Sequence, residues 1–202
     1  MSATALIPLF PLELVVFPGQ LLSLHIFEQR YKTMIADCRA GDLPFGICLV
    51  QGGEACAVGC ALTIQEILRE YPDGRLDLVA AGLRRYRVRA TYEDQPYLSG
   101  LVEYFDDGAE LMDPELAGAA EERFLQLLAL VGAESGLPQA WSSFHLAQRL
   151  DFSLEERQEL LENTSENARL RALIKRLDLV LPAMEQRREL RRRAQGNGHL
   201  KN

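Results

Sequence analysis

The sequence predicts an α+β fold: a β-rich first part, a compact antiparallel or mixed barrel with one helix, followed by an α-helical second part. Short apolar runs separated by Gly, Pro or Asp signals fill the first half, at residues 5–9, 20–26, 44–50, 58–68, 75–81, 84–92 and 97–105. After Phe105 these runs stop and long patterns of helical spacing begin. Because the turn signal Asp106-Asp107-Gly108 separates the two regimes, we expect one domain at residues 1–107 and a second at residues 108–202.

The clearest local signal in the first part is Pro72-Asp73-Gly74. Pro and Asp suit a tight turn and Gly supplies positive φ, so this tripeptide predicts a hairpin between residues 61–71 and 75–83. Phe17-Pro18-Gly19 predicts a second turn, which sets the direction of the following strand.

One helix is predicted among the strands, from about Glu28 to Ala40. The apolar residues Tyr31, Met34, Ile35 and Cys38 recur there at helical spacing. Gly41 is expected to end this helix.

The second part contains several helix start signals. Asp113-Pro114 predicts a capped helix that ends at Gly132 or Gly136, with its apolar face formed by Leu116, Phe124, Leu127, Leu128 and Val131. Ser153 and Glu156 form a capping box for a short helix that runs to about Glu162.

The last helix is expected to be capped by Thr164 and Ser165. Its apolar stripe consists of Leu170, Leu173, Ile174, Leu177 and Leu181, which need a partner surface. Pro182 is expected to kink or break it. From Glu185 onward the chain is a basic tail with six positive and two negative residues, which either contacts an acidic partner or is the frayed end of the helix.

Composition limits the classes of function. The chain of 202 residues has a net charge of -7, which disfavours a protein whose main task is to grip a phosphate backbone. The opening residues lack the positive segment of a signal peptide, and Pro11, Glu13 and Pro18 interrupt any run of membrane-spanning length. We therefore expect a soluble, cytoplasmic protein that has no membrane partner.

No local motif for catalysis or for a cofactor is present. The three histidines form no H-E-x-x-H pair, and none of the three lysines follows a glycine in a phosphate-binding loop. The cysteines, at positions 38, 48, 56 and 60, have no metal-ligand spacing and are expected to be reduced thiols that behave as small apolar residues. We expect no metal, no cofactor and no enzymatic activity.

Three blocks spread over the chain form a recognisable succession. The first is Ile7-Pro8-Leu9-Phe10-Pro11-Leu12 with Val15-Val16-Phe17-Pro18-Gly19 and Leu24-His25-Ile26-Phe27-Glu28-Gln29-Arg30-Tyr31. The second is Val58-Gly59, Asp73-Gly74 and Gly82-Leu83-Arg84-Arg85-Tyr86-Arg87-Val88, and the third runs from Leu150 to Glu162 and on to Asn167-Ala168-Arg169-Leu170. In order and spacing this succession resembles the substrate-binding domain of the ATP-dependent protease Lon.

The resemblance implies a PUA-like β pseudo-barrel followed by a helical part. It also implies a non-enzymatic module that recognises unfolded or exposed polypeptide segments, by itself or together with a separate ATP-dependent protease. We expect such a module to stand alone, without the ATPase and protease domains of full-length Lon. The contacts that the first block implies are Phe17, His25, Phe27, Arg30 and Tyr31.

Some of these residues also have structural interpretations. His25 is expected to be a hydrogen-bonded residue at a strand end rather than a client contact, and Glu28 with Arg30 is either a structural pair or a helix cap.

Two alternative functions remain open. An RNA-associated barrel would use Arg85, Arg87 and Arg89, which alternation places on one strand face, although acidic residues such as Glu103 could pair with them there. An unrecognised enzyme would need catalytic groups that converge from distant positions.

Overall fold

The computed structural model describes residues 3–133 and 136–196. The chain forms two compact units. The first contains the residues up to Asp107 together with Ala147–Thr164, and the second contains Gly108–Leu146 together with the residues from Ser165 onward. The division into domains at residue 107 stays a prediction.

The first unit is built on six strands, and the predicted α+β class with a β pseudo-barrel is confirmed. They are β1 (Thr4–Leu12), β2 (Leu21–Ile26), β3 (Phe45–Gln51), β4 (Glu54–Glu70), β5 (Leu76–Tyr92) and β6 (Ser99–Phe105). β1 pairs in parallel with β3, and the remaining pairs, β3–β4, β4–β5, β5–β6, β6–β1 and β2–β5, are antiparallel. Five strands therefore close a mixed barrel, and β2 extends the sheet from the first half of β5.

The predicted hairpin is confirmed. β4 and β5 each span 17 residues, and the Tyr71 N–H donates to the Arg75 carbonyl where the chain reverses. Gly74 adopts a φ of 81°, which is the positive value that the turn requires. β5 is one continuous strand, so the prediction of two runs separated at Gly82 was wrong. A Cβ at Gly82 would lie 2.3 Å from the Phe17 carbonyl oxygen, so the glycine allows close backbone approach there.

The helix α1 (Gln29–Gly41) lies where the sequence predicts it. Its buried residues are Tyr31, Met34, Ile35 and Cys38, which belong to one core cluster together with side chains of the sheet such as Phe45 and Leu78. The left-handed residue that ends the helix is Asp42, with a φ of 49°, and not Gly41. The Asp42 N–H donates to the Cys38 carbonyl and so satisfies a group of the last turn.

The helix α4 (Leu154–Glu162) also belongs to the first unit. Its predicted capping box is present, with the Ser153 hydroxyl and the Glu156 carboxylate satisfying each other's main-chain N–H groups. Gln158 donates to the Val58 carbonyl over 3.1 Å, which ties α4 to β4.

The second unit contains α2 (Pro114–Val131), most of α3 (Ser143–Ala147) and α5 (Glu166–Gly196). Asp113 caps α2, Gly132 ends it with a φ of 72°, and the Ser165 hydroxyl accepts from the Ala168 N–H at the start of α5, all as predicted. α2 and α5 pack together, and their buried residues include Ala117, Ala120, Phe124, Leu170, Leu173, Leu177 and Leu181.

Of two expectations for these helices, one was wrong and the other was wrong in part. Val131 is 52% exposed and does not face the core. Pro182 does not break α5, which continues through it to Gly196. The end of the basic tail, residues 197–202, lies outside the described residues.

In the part of the chain that the structure describes, no helix combines the length and the apolar composition needed to cross a membrane.

Candidate functional site

The outer face of β2 exposes alternate side chains of the strand. Leu22 and Leu24 pack against the core, whereas the alternate positions Leu21, Ser23 and His25 are exposed. Phe27, two residues beyond His25, continues this exposed series. Leu21 is 67% exposed and Phe27 is 60% exposed, so a large apolar side chain stands at each end of the series.

His25 is tied to the neighbouring strand. Its Nδ1 lies 2.6 Å from Asp77 Oδ1, and because a carboxylate can only accept, this nitrogen is the donor. Tyr71 donates its hydroxyl to the other oxygen of the same carboxylate over 2.7 Å. These two hydrogen bonds, that from His25 first, lower the pKa of Asp77 below its ordinary value. His25 is therefore hydrogen-bonded near a strand end, as the structural interpretation expected, although its partner is a side chain.

Three rings form a continuous patch, which we call the aromatic surface. The imidazole of His25 stacks on Phe27 with ring centroids 6.0 Å apart and meets the edge of Tyr71 at the same distance. The guanidinium groups of Arg69 and Arg75 lie 4.5 Å and 4.9 Å from the centroid of the Tyr71 ring. The aromatic surface thus combines an exposed apolar ring with two guanidinium groups, of which that of Arg75 also pairs with Asp73 over 2.7 Å.

The sequence did not identify Tyr71, Arg69 or Arg75 as part of this site. They flank the turn of the predicted hairpin, so the sequence placed them only at the tip of the hairpin that β4 and β5 form. Only the pairing of β2 with β5, in which His25 lies opposite Asp77, brings that tip beside Phe27.

Phe17, by contrast, is fully buried and presents no surface to a ligand in this structure. The guanidinium of Arg157 lies 4.6 Å from its ring centroid and donates to the Val15 carbonyl over 3.1 Å. The Gln20 N–H donates to the Phe17 carbonyl, which confirms the predicted turn. Phe17 therefore anchors the turn that leads into β2.

Arg30 and Tyr31 line a separate cleft of about 400 Å³, whose other walls come from Pro11, Glu93, Gln95, Pro96, Tyr97 and Leu98. Tyr31 is only 7% exposed, and burial raises the pKa of its hydroxyl. Arg30 pairs with Glu28 over 2.9 Å, while the Glu28 side chain makes no capping hydrogen bond. The Glu28–Arg30 interaction is thus a structural pair.

The basic stripe on β5 is not a continuous solvated face. Arg85 is 3% exposed and donates to main-chain carbonyls, and Arg89 pairs with Glu103, one of the partners that the sequence suggested. Arg87 is exposed, and its guanidinium lies 5.7 Å from the centroid of the Phe105 ring. The arrangement that the RNA hypothesis needed is therefore absent from this strand.

Three of the four cysteines are core residues. Burial raises the pKa of the Cys38 and Cys48 thiols to about 11 and that of Cys60 to about 12. Cys56 is half-buried. Among the residues whose positions are described, no three His, Cys, Asp or Glu side chains converge in a way that could hold a metal ion.

Comparison with known proteins covers nearly the whole chain. Residues 6–178 match the family described as the ATP-dependent protease La (LON) substrate-binding domain, and no ATPase or protease domain is matched. A Lon protease of Anaeromyxobacter dehalogenans is 25% identical over 92% of this chain and 24% of its own length, and Lon protease 2 of Myxococcus xanthus is 26% identical over 91% and 24%. The chain thus spans about a quarter of the length of these relatives.

Solved structures are similar over most of the chain. The Lon N-terminal domain protein from Xanthomonas campestris is 31% identical, with a TM-score of 0.68, over 85% of this chain and 98% of its own. The N-terminal domain of the Mycobacterium avium complex Lon protease shares the fold with a TM-score of 0.60 at 19% identity, over 86% of this chain and 98% of its own. With the match over residues 6–178, these similarities show that the chain belongs to the Lon substrate-binding domain family.

Proposed function

We propose that this protein is a non-enzymatic module that binds exposed polypeptide segments through the aromatic surface formed by His25, Phe27 and Tyr71. The observation that carries the proposal is Phe27, which is 60% exposed and stacked on a histidine that is itself held by a hydrogen bond to Asp77. An exposed ring on a fixed support can be buried by a ligand at little cost in conformational entropy.

The chemistry of the aromatic surface fits unfolded chains better than a small polar ligand. Burial of apolar area contributes roughly 25 cal/mol for each Å², so one large side chain placed against Phe27 supplies a substantial part of a weak binding energy. Arg69 and Arg75 add cations beside the Tyr71 ring, where they can contact the carbonyl groups or acidic side chains of a bound segment. Neither contribution depends on one particular sequence.

The family supports the same proposal, because its description is that of a substrate-binding domain. The relatives named above are Lon proteases. We extend the proposal to a cytoplasmic role in which bound segments are passed to a separate ATP-dependent protease. Arg30 and Tyr31 are assigned to the neighbouring cleft and not to the aromatic surface, and Phe17 supports the site from within the core.

The test is a binding titration against reduced and alkylated α-lactalbumin, a soluble unfolded polypeptide, at 0.15 M salt. Phe27→Ala is expected to raise the Kd about tenfold, which corresponds to about 1.4 kcal/mol. Tyr92→Ala is the matched control, because Tyr92 is also an exposed aromatic residue, 46% exposed, at the far end of β5. Equal affinities for the two variants, or no binding by the unaltered protein, would contradict the proposal.

A further inference from the structure

β2 has one open side along its whole length. The strand order begins with β2, and within residues 3–133 and 136–196 this strand pairs with β5 alone. In an antiparallel pair, alternate residues direct their N–H and C=O groups away from the partner strand. The outer edge of β2 therefore presents a row of main-chain donors and acceptors.

This edge is regular. All six residues of β2 pair with β5 in one uninterrupted register, from Leu21 opposite Ala81 to Ile26 opposite Leu76. The β3–β4, β4–β5 and β5–β6 pairs all contain register shifts. A bulge bends a strand and impairs further pairing, so β2 has kept the geometry that another strand can extend.

The sequence of β2 also lacks the residues that usually protect an edge strand. Natural proteins blunt exposed edges with Lys, Pro, inward-pointing charges or bulges. The six residues of β2 read Leu-Leu-Ser-Leu-His-Ile and include no Lys, Arg, Asp, Glu or Pro. An unprotected, largely apolar edge is what a surface that receives a strand requires.

We infer that the open edge of β2 receives an additional β-strand from a bound polypeptide segment. This inference rests on the proposed function and specifies its ligand: an extended segment with apolar residues at alternate positions, which lie beside Leu21 and Phe27. The distance between those residues along a strand is roughly 20 Å, so the segment needs about seven residues. Main-chain hydrogen bonds then supply affinity that does not depend on sequence, and the aromatic surface selects apolar side chains.

A second copy of this chain is a poorer occupant. An antiparallel pairing that places Leu21 opposite Phe27 of another copy would also place Gln20 opposite Glu28, where the strand has ended. In each copy, a turn precedes β2 and α1 follows it, so the chain is not extended beyond either end of the strand. Two copies also each carry a net charge of -7 and repel one another. An unfolded segment is extended at both ends and has neither constraint.

The experiment uses twelve-residue peptides that tile the α-lactalbumin sequence, of which the tightest binder is resynthesised with N-methyl groups on alternate amides. Strand addition predicts that methylation in one of the two alternating sets weakens binding at least tenfold, whereas the other set is tolerated. Amide hydrogen exchange of the intact protein should slow at alternate residues of β2 when the unmodified peptide is added.

Variants give a second measurement. Leu21→Lys places a charge on the edge and is expected to weaken peptide binding at least tenfold. Leu43→Lys is the control, because Leu43 is 51% exposed and precedes β3, and it should leave the peptide affinity unchanged. Peptide binding that is insensitive to both methylation patterns would overturn the strand inference and leave the proposed function standing. Absence of binding by every peptide would overturn both. Protection of β2 without peptide, in a dimer that Leu21→Lys dissociates, would identify a second copy as the occupant and overturn the inference.

Discussion

The guanidinium of Arg85 donates to the main-chain carbonyl of Asn163 over 2.7 Å, so a side chain of β5 satisfies the end of α4. The same group donates to the Leu161 carbonyl over 3.1 Å and to the Asp107 carboxylate over 2.5 Å. Carbonyls at a helix C-terminus lack partners within the helix and carry partial negative charge, which a buried cation stabilises. Arg85 thus ties the returning segment Ala147–Thr164 to the barrel.

Arg85→Ala is expected to lower the free energy of unfolding by about 2–4 kcal/mol, because it removes the guanidinium that donates to the Leu161 and Asn163 carbonyls and pairs with Asp107. The measurement is urea denaturation followed by tryptophan fluorescence and by far-ultraviolet circular dichroism. Arg87→Ala is the control, since Arg87 is exposed and its removal should change stability by less than about 0.5 kcal/mol. Similar effects of the two substitutions would show that the Arg85 contacts contribute little.

Gly59→Ala is expected to destabilise the barrel by about 3 kcal/mol or more. A Cβ at this position would lie 2.3 Å from the Ile47 carbonyl oxygen and 2.4 Å from the hydroxyl of Tyr86, a residue that is completely buried. Gly118→Ala is the matched control in α2, where an added Cβ has no neighbour within 4 Å, and it should stabilise by about 0.5–1 kcal/mol. Thermal unfolding of both variants checks the prediction, and a Gly59→Ala protein as stable as the parent would refute it.

Thiol labelling at pH 8 is expected to modify Cys56 first. The other thiols are at most 2% exposed, and burial raises the pKa of each, so their reactive thiolates form only when the protein opens. Labelling with an aromatic disulfide reagent should show one fast phase in the native protein and four equivalents in denaturant. Cys56→Ala should remove the fast phase, and rapid labelling of a second site would contradict the buried positions.

The pKa of the Asp77 carboxyl group is expected to lie below the ordinary aspartate pKa, which is about 3.9. Because folding lowers the pKa of Asp77, its ionised carboxylate stabilises the folded protein fully above about pH 4. This stabilisation is lost as the pH falls through the pKa that Asp77 has in the folded protein. Tyr71→Phe removes one of the two donors and should raise the pKa of Asp77, as measured by carbon-detected NMR titration. Tyr92→Phe is the control, and an unchanged Asp77 pKa in Tyr71→Phe would exclude the hydrogen bond.

Signals that act over a few residues were predictable. The cap at Asp113, the capping box at Ser153 and the turn at Gly74 depend on neighbouring groups, so they can be identified without knowledge of the fold. Gly82 misled the prediction because a glycine that ends a strand and a glycine that admits another backbone look alike in sequence. Pro182 misled it because a helix can continue through a proline at a local cost.

The residues of the candidate site were only partly predictable. His25 and Phe27 lie in a block that resembles the family, whereas Tyr71 and Arg69 join them only through pairing between strands that are distant in sequence. The alternation along β5 placed Arg85 on an exposed strand face. It could not show that α4, which begins at Leu154, covers that position.

Local chemistry and the order of motifs were enough to predict the β-rich and helical regions, the helix starts, the hairpin and the family. Which apolar residues are accessible depends on the three-dimensional packing. Phe17 and Phe27 are the same residue type and lie in the same sequence block. Phe17 is buried by its own turn and by Arg157, whereas Phe27 follows an edge strand and is exposed. Accessibility depends on packing between distant segments, and for that reason the aromatic surface and the open edge of β2 became visible only in three dimensions.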